Sequence, residues 1–192
     1  MGGSYFGQAG QFLVQFVFDL YILAVLLRFL LQLVRADFYN PISQLLVKVT
    51  NPPLRPLRRM IPGLWGIDLA SVVLLIVLAA IELSLVYLLQ GIILKPVGLI
   101  VLSITELLYK TWWIYIIALF IRVILSWFGQ ASYNPAFHLL VRLTEPLMAP
   151  ARRILPPMSG LDLSVMLVFL VMGLLNPLVL RPLTDLGLAL AQ

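Results

Sequence analysis

The chain has 192 residues, of which 62% are hydrophobic and only 11% charged, and its mean hydropathy is +1.05. Soluble domains average about 45–50% apolar and about 25% charged residues, so there is too little charge here to build a water-facing surface. A soluble enzyme, a secreted disulfide scaffold and a disordered chain are excluded, and an integral membrane protein is left. Cysteine is absent, which removes disulfides, thiolate metal sites and a cysteine nucleophile. The single histidine, His138, cannot form a histidine pair on a metal or haem within one chain. The 13 basic residues against 8 acidic ones give a net charge of +5. In a membrane protein that excess reads as the positive-inside bias of cytoplasmic loops, not as a nucleic-acid surface.

From Met1 to Gln11 there is no basic residue ahead of the first apolar run. The charged start of a cleavable signal peptide is therefore missing, and the first helix is expected to stay in the mature protein. A span needs about 20 mainly apolar residues. Four stretches qualify: about Phe12 to Val34, Leu69 to Leu89, Thr111 to Phe128, and Leu163 to Leu180. A fifth, Val97 to Leu108, lies between Lys95-Pro96 and Lys110 and is too short to cross. It reads as an interfacial segment or as a helical lead-in to the third span.

The chain repeats itself at an offset of 94 residues. Tyr39-Asn40-Pro41 returns as Tyr133-Asn134-Pro135, and Leu45-Leu46-Val47 as Leu139-Leu140-Val141. Thr50, Pro52, Pro56, Arg58, Arg59 and Pro62 return as Thr144, Pro146, Pro150, Arg152, Arg153 and Pro156. Gly66, Asp68 and Leu69 return as Gly160, Asp162 and Leu163. Between positions 39 and 69 there are 15 identities in 31 ungapped positions, beyond what a biased composition produces by chance. The expected architecture is an all-α membrane protein of four transmembrane helices, built as two tandem parallel helical hairpins. Residues 1–96 and 97–192 form the two units, each with an amphipathic helix in its cytoplasmic loop. Basic residues concentrate in both loops, at Arg35, Lys48, Arg55, Arg58 and Arg59, and at Arg142, Arg152 and Arg153. That places the loops in the cytoplasm and both termini outside.

Within each loop, Asn40 and Asn134 suit a helix N-cap, with Pro41 and Pro135 at the first helical position. Ile42, Leu45, Leu46 and Val49 share one face, as do Ala136, Leu139, Leu140 and Leu143. Gln44 and Lys48, then His138 and Arg142, stand opposite. The spacing predicts a short amphipathic helix, lying in the headgroup layer or packed on the bundle, that Pro52 and Pro146 bring to a stop. The proline-punctuated basic stretches that follow are expected to run extended. Their arginines, Arg55, Arg58 and Arg59 and then Arg142, Arg152 and Arg153, are candidate contacts to anionic headgroups or a partner, each worth about 1 kcal/mol near a charged leaflet.

These residues carry a resemblance. Ser126-Trp127, Asn134-Pro135, Thr144-Glu145-Pro146-Leu147, Pro150, Arg152-Arg153, Pro156 and Gly160-Leu161-Asp162-Leu163-Ser164 are similar to the motif of the YggT family of bacterial integral membrane proteins. That family includes the YlmG relatives of Gram-positive bacteria and chloroplasts. The first copy is a divergent version, with Asn51 where the second has Glu145. Val72 and Val165 stand near the place where the family usually continues Asp-Leu-Ser with proline. The resemblance covers nearly the whole chain. It implies a role in osmotic-stress tolerance, division or membrane-complex assembly, and brings no catalytic residue and no cofactor.

Charges within spans cost about 2.5–3.5 kcal/mol at a helix centre, so each needs a reason. Arg28 and Arg122 match at the repeat offset, as do Asp68 and Asp162. One reading pairs Arg28 with Asp68 and Arg122 with Asp162 inside each hairpin; the other lets each arginine snorkel while the aspartate caps its helix. Glu82 and Asn176 also match, and with Asp19 they would line an intramembrane polar seam. Tyr109, Trp112 and Trp113 read as an aromatic belt at the outer end of the third span, with Trp65 and Trp127 near the cytoplasmic side. No nucleophile–base pair, metal constellation or phosphate loop is present, so an enzyme is not expected.

The expected function is organisation or support of inner-membrane processes through lipid- and partner-binding cytoplasmic loops. The alternative is a small ion or solute channel, or a transport accessory, acting in osmotic adjustment. The expected partners are anionic lipid headgroups, another membrane or division protein, and a second copy of the chain, but no nucleic acid.

Overall fold

A computed structural model of the chain describes residues 5–64, 66–127, 134–155 and 162–191. Among these residues the regular structure is helical, apart from an isolated antiparallel bridge between Leu64 and Ile67. In chain order the helices are α1 (Tyr5–Leu33), α2 (Pro41–Met60), α3 (Leu69–Leu89), α4 (Pro96–Trp127), α5 (Pro135–Ile154), α6 (Ser164–Leu175) and α7 (Arg181–Ala191). A five-residue π turn, Asn176–Leu180, joins α6 to α7. Four segments are long and apolar enough to cross a membrane: Tyr5–Leu33, Leu69–Leu89, Pro96–Ser126 and Ser164–Ala191.

Three of these segments run longer than expected, the first because α1 begins at Tyr5, seven residues ahead of Phe12. Val97 to Leu108 is helical and continuous with the third span, the lead-in to a single helix, α4, of 32 residues. At 1.5 Å per residue α4 is about 48 Å long, well beyond the roughly 30 Å of a hydrocarbon core. The fourth segment likewise passes Leu180. Pro177 has no N–H to offer the preceding turn, and the π turn absorbs the misfit, with the Arg181 N–H closing on the Asn176 carbonyl.

The loop helices also run longer than expected. Pro52, Pro53 and Pro56 lie inside α2, and Pro146 and Pro150 inside α5, so neither Pro52 nor Pro146 ends its helix and the basic stretches are helical. Each proline withholds an N–H from the carbonyl four residues before it. The carbonyls so affected are those of Lys48, Val49 and Pro52 in α2 and of Arg142 and Pro146 in α5. All five residues are exposed, where another donor can reach their carbonyls. Asn40 and Asn134 cap as expected, accepting the Ile42 and Ala136 N–H groups at 2.9 Å in both cases.

The main core gathers Ile22, Val25 and Leu26 of α1 with Ala70, Leu75 and Ala79 of α3, and takes in Leu139 and Leu143 of α5. A smaller core joins Leu119 of α4, Met148 and Ala151 of α5 and Val168 and Met172 of α6. The tightest approach is between α4 and α7. A Cβ added at Gly98 would stand 2.3 Å from the Cα and backbone N of Ala191, and the Lys95 N–H donates to the Ala191 carbonyl at 3.1 Å. Gly98→Ala is expected to cost about 1–3 kcal/mol, because backbone atoms must move to admit the methyl group. Thermal unfolding of the detergent-solubilised protein would show it, and an unchanged Tm would refute the close packing.

Candidate functional site

The polar residues of the two repeats form matching sets where span meets loop helix. Arg28 is buried within α1, five residues before its end at Leu33, or about 7.5 Å along the axis. Its Nη1 donates to Thr50 Oγ1 at 2.7 Å and to Asn51 Oδ1 at 3.0 Å. The Thr50 hydroxyl in turn donates to the Leu46 carbonyl at 2.6 Å. In the second repeat Arg122 donates to Thr144 Oγ1 at 2.6 Å and to Glu145 Oε2 at 3.2 Å, and Thr144 donates to the Leu140 carbonyl at 2.7 Å.

Each aspartate at the start of the following span has a different partner. Arg58 donates to Asp68 Oδ2 from Nη2 at 2.5 Å and from Nε at 3.1 Å. Arg152 Nε donates to Asp162 Oδ2 at 3.2 Å. The expected pairs Arg28–Asp68 and Arg122–Asp162 are therefore replaced by pairs to the loop helix. The reason is depth: the aspartates stand at the very start of their spans, the span arginines sit deeper, and the loop helix supplies a nearer partner to each. Glu145 adds a link that Asn51 lacks, accepting from Arg122 and from Arg152, both at 3.2 Å.

Burial alone would raise the Asp68 carboxyl, but hydrogen bonds from Arg58 and Ser71 outweigh it and hold the group below its ordinary 3.8. Asp162 is shifted the same way: burial pushes up, and Ser164 and Arg152 pull it below 3.8. A carboxylate depressed in the folded state adds stability above its unfolded pKa and loses it as pH falls through the folded value. Asp68→Asn is thus expected to lower Tm at neutral pH and to flatten the acid limb of the Tm–pH curve. Thr50→Val, which leaves the buried Arg28 guanidinium short of an acceptor, is expected to cost about 1–3 kcal/mol. A Thr50→Val protein as stable as the parent in chemical unfolding would contradict the Arg28–Thr50 bond.

Each double arginine divides its roles. Arg58 and Arg152 pair with the aspartates, whereas Arg59 and Arg153, like Arg55 and Arg142, are exposed and have no ion-pair partner among the described residues. At about 100° per residue α2 presents three faces. Ser43, Thr50 and Leu54 are buried against the bundle. Ile42, Leu45 and Val49 form an exposed apolar stripe with Pro52 and Pro56, Leu45 being 61% exposed. Lys48, Arg55 and Arg59 line the third face. In α5 the equivalent leucines, Leu139 and Leu143, are buried and packed into the main core, while Pro146 and Pro150 stay exposed.

A second polar group lies inside the spans. Lys110, near the middle of α4, bonds to Asp19 Oδ1 at 2.8 Å, to Glu82 Oε2 at 3.2 Å and to Glu106 one turn before it. Asp19 is at the middle of α1, and the Glu82 side chain is 4% exposed. The three carboxylates each offer an oxygen within 4.8 Å of the others, the ligand type a hard divalent cation takes. The Lys110 ammonium already bonds to all three. Of the expected seam, Asp19 and Glu82 come together through this lysine, while Asn176 lies in the π turn of the other repeat and has no part in it. Sequence reasoning misses Glu106 and Lys110 because it splits the stretch around them into two segments; their four-residue Glu-to-Lys spacing in an apolar run is the available signal.

Lengthening α4 also moves the aromatic cluster. Tyr109, Trp112 and Trp113 stand near the middle of α4, not at its outer end, and pack ring against ring. The Trp112 indole N–H donates to the Met172 carbonyl at 2.7 Å, tying α4 to α6. Trp65 and the Trp127 side chain lie outside the described residues.

Four apolar membrane-crossing segments and two matched polar linkages define the class, a multi-pass helical membrane protein with an internal repeat. The model of the CCB3/YggT family matches residues 7–89 and again 101–183, and the chain belongs to that family. It is 45% identical over 178 residues to an uncharacterized protein of Pseudomonas aeruginosa, covering 90% of this chain and 89% of the other. It is 42% identical to an uncharacterized protein of Vibrio alginolyticus over 162 residues, covering 83% and 87% of the two chains. With the uncharacterized protein YggT of Escherichia coli K12 the identity is 37% over 169 residues, 86% of each. No solved structure matches.

Proposed function

We propose that the protein is a non-enzymatic inner-membrane platform whose loop helices engage the anionic cytoplasmic leaflet and, through it, a membrane or division protein partner. The observation that carries this reading is the three-faced α2. One face packs on the spans, an apolar stripe of Ile42, Leu45 and Val49 stands exposed beside it, and Lys48, Arg55 and Arg59 flank that stripe. A helix so divided suits the boundary between headgroups and acyl chains, with apolar residues in the acyl layer and cations among the phosphates. Positive-inside counting then places both loops in the cytoplasm and both ends of the chain in the periplasm. Support of osmotic-stress tolerance, division or complex assembly is the role such a platform would fill.

Nitroxide labels at Leu45 and Val49 in the reconstituted protein are expected to be reached by oxygen and shielded from a water-soluble nickel chelate. Arg55→Ala with Arg59→Ala is expected to lower the number of phosphatidylglycerol molecules retained after delipidation. Labels reached freely by the chelate would remove the leaflet reading.

The cluster on Lys110 favours a second reading, a small channel or transport accessory. Charged groups held within apolar spans are costly and commonly mark ion or proton paths. Proteoliposomes carrying the protein would then pass ions or protons above the empty-vesicle rate, and Glu82→Gln would abolish the excess. Flux equal to that of empty vesicles would leave the cluster as a bond between α1, α3 and α4.

A further inference from the structure

Between the two repeats, on the side of the loop helices, lies an open cavity of about 460 Å³. Arg35, Asp37 and Asn40, from the turn joining α1 to α2, form one wall; Pro135, His138 and Arg142, from the first turns of α5, form the other. Asn40 staples the walls, its Nδ2 donating to the Pro135 carbonyl at 2.8 Å. The cavity therefore exists only where both copies of the repeat meet.

Its charge is unbalanced. The Arg35 and Arg142 guanidinium groups and the His138 ring have no hydrogen-bond or ion-pair partner among the described residues. Among the described residues the wall holds two guanidinium groups against a single carboxylate, Asp37, whose Oδ1 accepts the Tyr39 N–H at 2.8 Å. The N-terminal ends of two 20-residue helices, α2 and α5, also border the space, and their dipoles favour an anion there.

Arg35 carries a separate signal. Its φ is +51°, in the left-handed region that a side chain disfavours. The Ala36 N–H closes on the Leu31 carbonyl at 2.9 Å, which puts Arg35 in the position after a helix end where glycine is the usual choice. At the matching place in the second repeat the sequence has glycine, Gly129. An arginine thus stands where the backbone favours glycine, and its side chain lines the cavity.

We propose that this cavity binds a phosphate group, carried by an anionic glycerophospholipid of the leaflet that the loop helices meet. Arg35 and Arg142 grip it from opposite walls, and His138 supplies a further donor. The assignment rests on the leaflet reading above and narrows it to a discrete site. It also separates Arg142 from the exposed arginines of α2, which meet the leaflet as a diffuse cationic face.

The test uses the full, delipidated chain in a neutral detergent, titrated with dioctanoyl phosphatidylglycerol, dioctanoyl phosphatidylcholine and inorganic phosphate. Saturable binding of one phosphatidylglycerol per chain is expected, with weaker binding of phosphatidylcholine. Arg35→Gly and Arg142→Ala are each expected to weaken it about tenfold or more, the loss of one charge-assisted contact. Arg35→Gly relieves the backbone, so its Tm without lipid should equal or exceed the parent's, which separates lost binding from lost fold. Parental affinity in both variants would overturn the site. Inorganic phosphate binding as tightly as phosphatidylglycerol would overturn the lipid assignment in favour of a soluble phosphate. The nitroxide labels on α2 report the leaflet reading independently: acyl-buried labels with unaffected variants sink the cavity alone, and water-exposed labels sink the reading beneath it.

Discussion

A guanidinium inside an apolar span must find acceptors, and in both repeats it finds them on the loop helix that follows. Arg28 reaches Thr50 and Arg122 reaches Thr144, in each case across 22 residues of chain. The arrangement fixes more than one distance. It holds the loop helix against the span at its middle, just ahead of its prolines, while Arg58 and Arg152 tie its C-terminal part to the aspartates that open the next spans. A helix that proline alone would weaken is thereby held on either side of its prolines by charge-assisted bonds. Its remaining faces are free to meet something else.

The two repeats share this framework and use it differently. Leu139 and Leu143 of α5 are packed into the main core, and their counterparts Leu45 and Val49 on α2 are exposed. Asn51 serves Arg28 alone, whereas Glu145 connects Arg122 to Arg152 and so joins two bonds into a chain. The second loop helix is thus the one integrated into the molecule, and the first is the one that faces outward. Duplication supplied two equivalent elements, and divergence at a few positions gave one an inner and the other an outer role.

Much of this is legible from residues alone. The second span is bounded at Leu69 and Leu89, both asparagine caps are recognisable, and the repeat marks which polar residues act together. What fails is the choice of partner. Arg28 and Asp68 share a repeat pattern, but pattern says nothing of depth, and depth decides that each bonds to the loop helix. Proline misleads in α2 and α5 because the carbonyls it strands lie on the exposed side, where the usual penalty is softened. Lys110 is hidden by its own charge: it breaks an apolar run into pieces that look too short, although three carboxylates from α1, α3 and α4 surround it.

The π turn has a consequence for how the repeats can be compared. One extra residue in a turn advances everything after it by about 100° around the helix axis. In the first repeat Glu82 stands at the position of Asn176, and α3 continues as α-helix to Leu89. In the second, the phase slip at Asn176–Leu180 turns the segment beyond it so that Gly187 and Ala191 meet Leu102 and Gly98. An alignment of the two halves that stays in step up to Asn176 therefore loses its meaning past it: the same offset still counts residues, but it no longer counts faces.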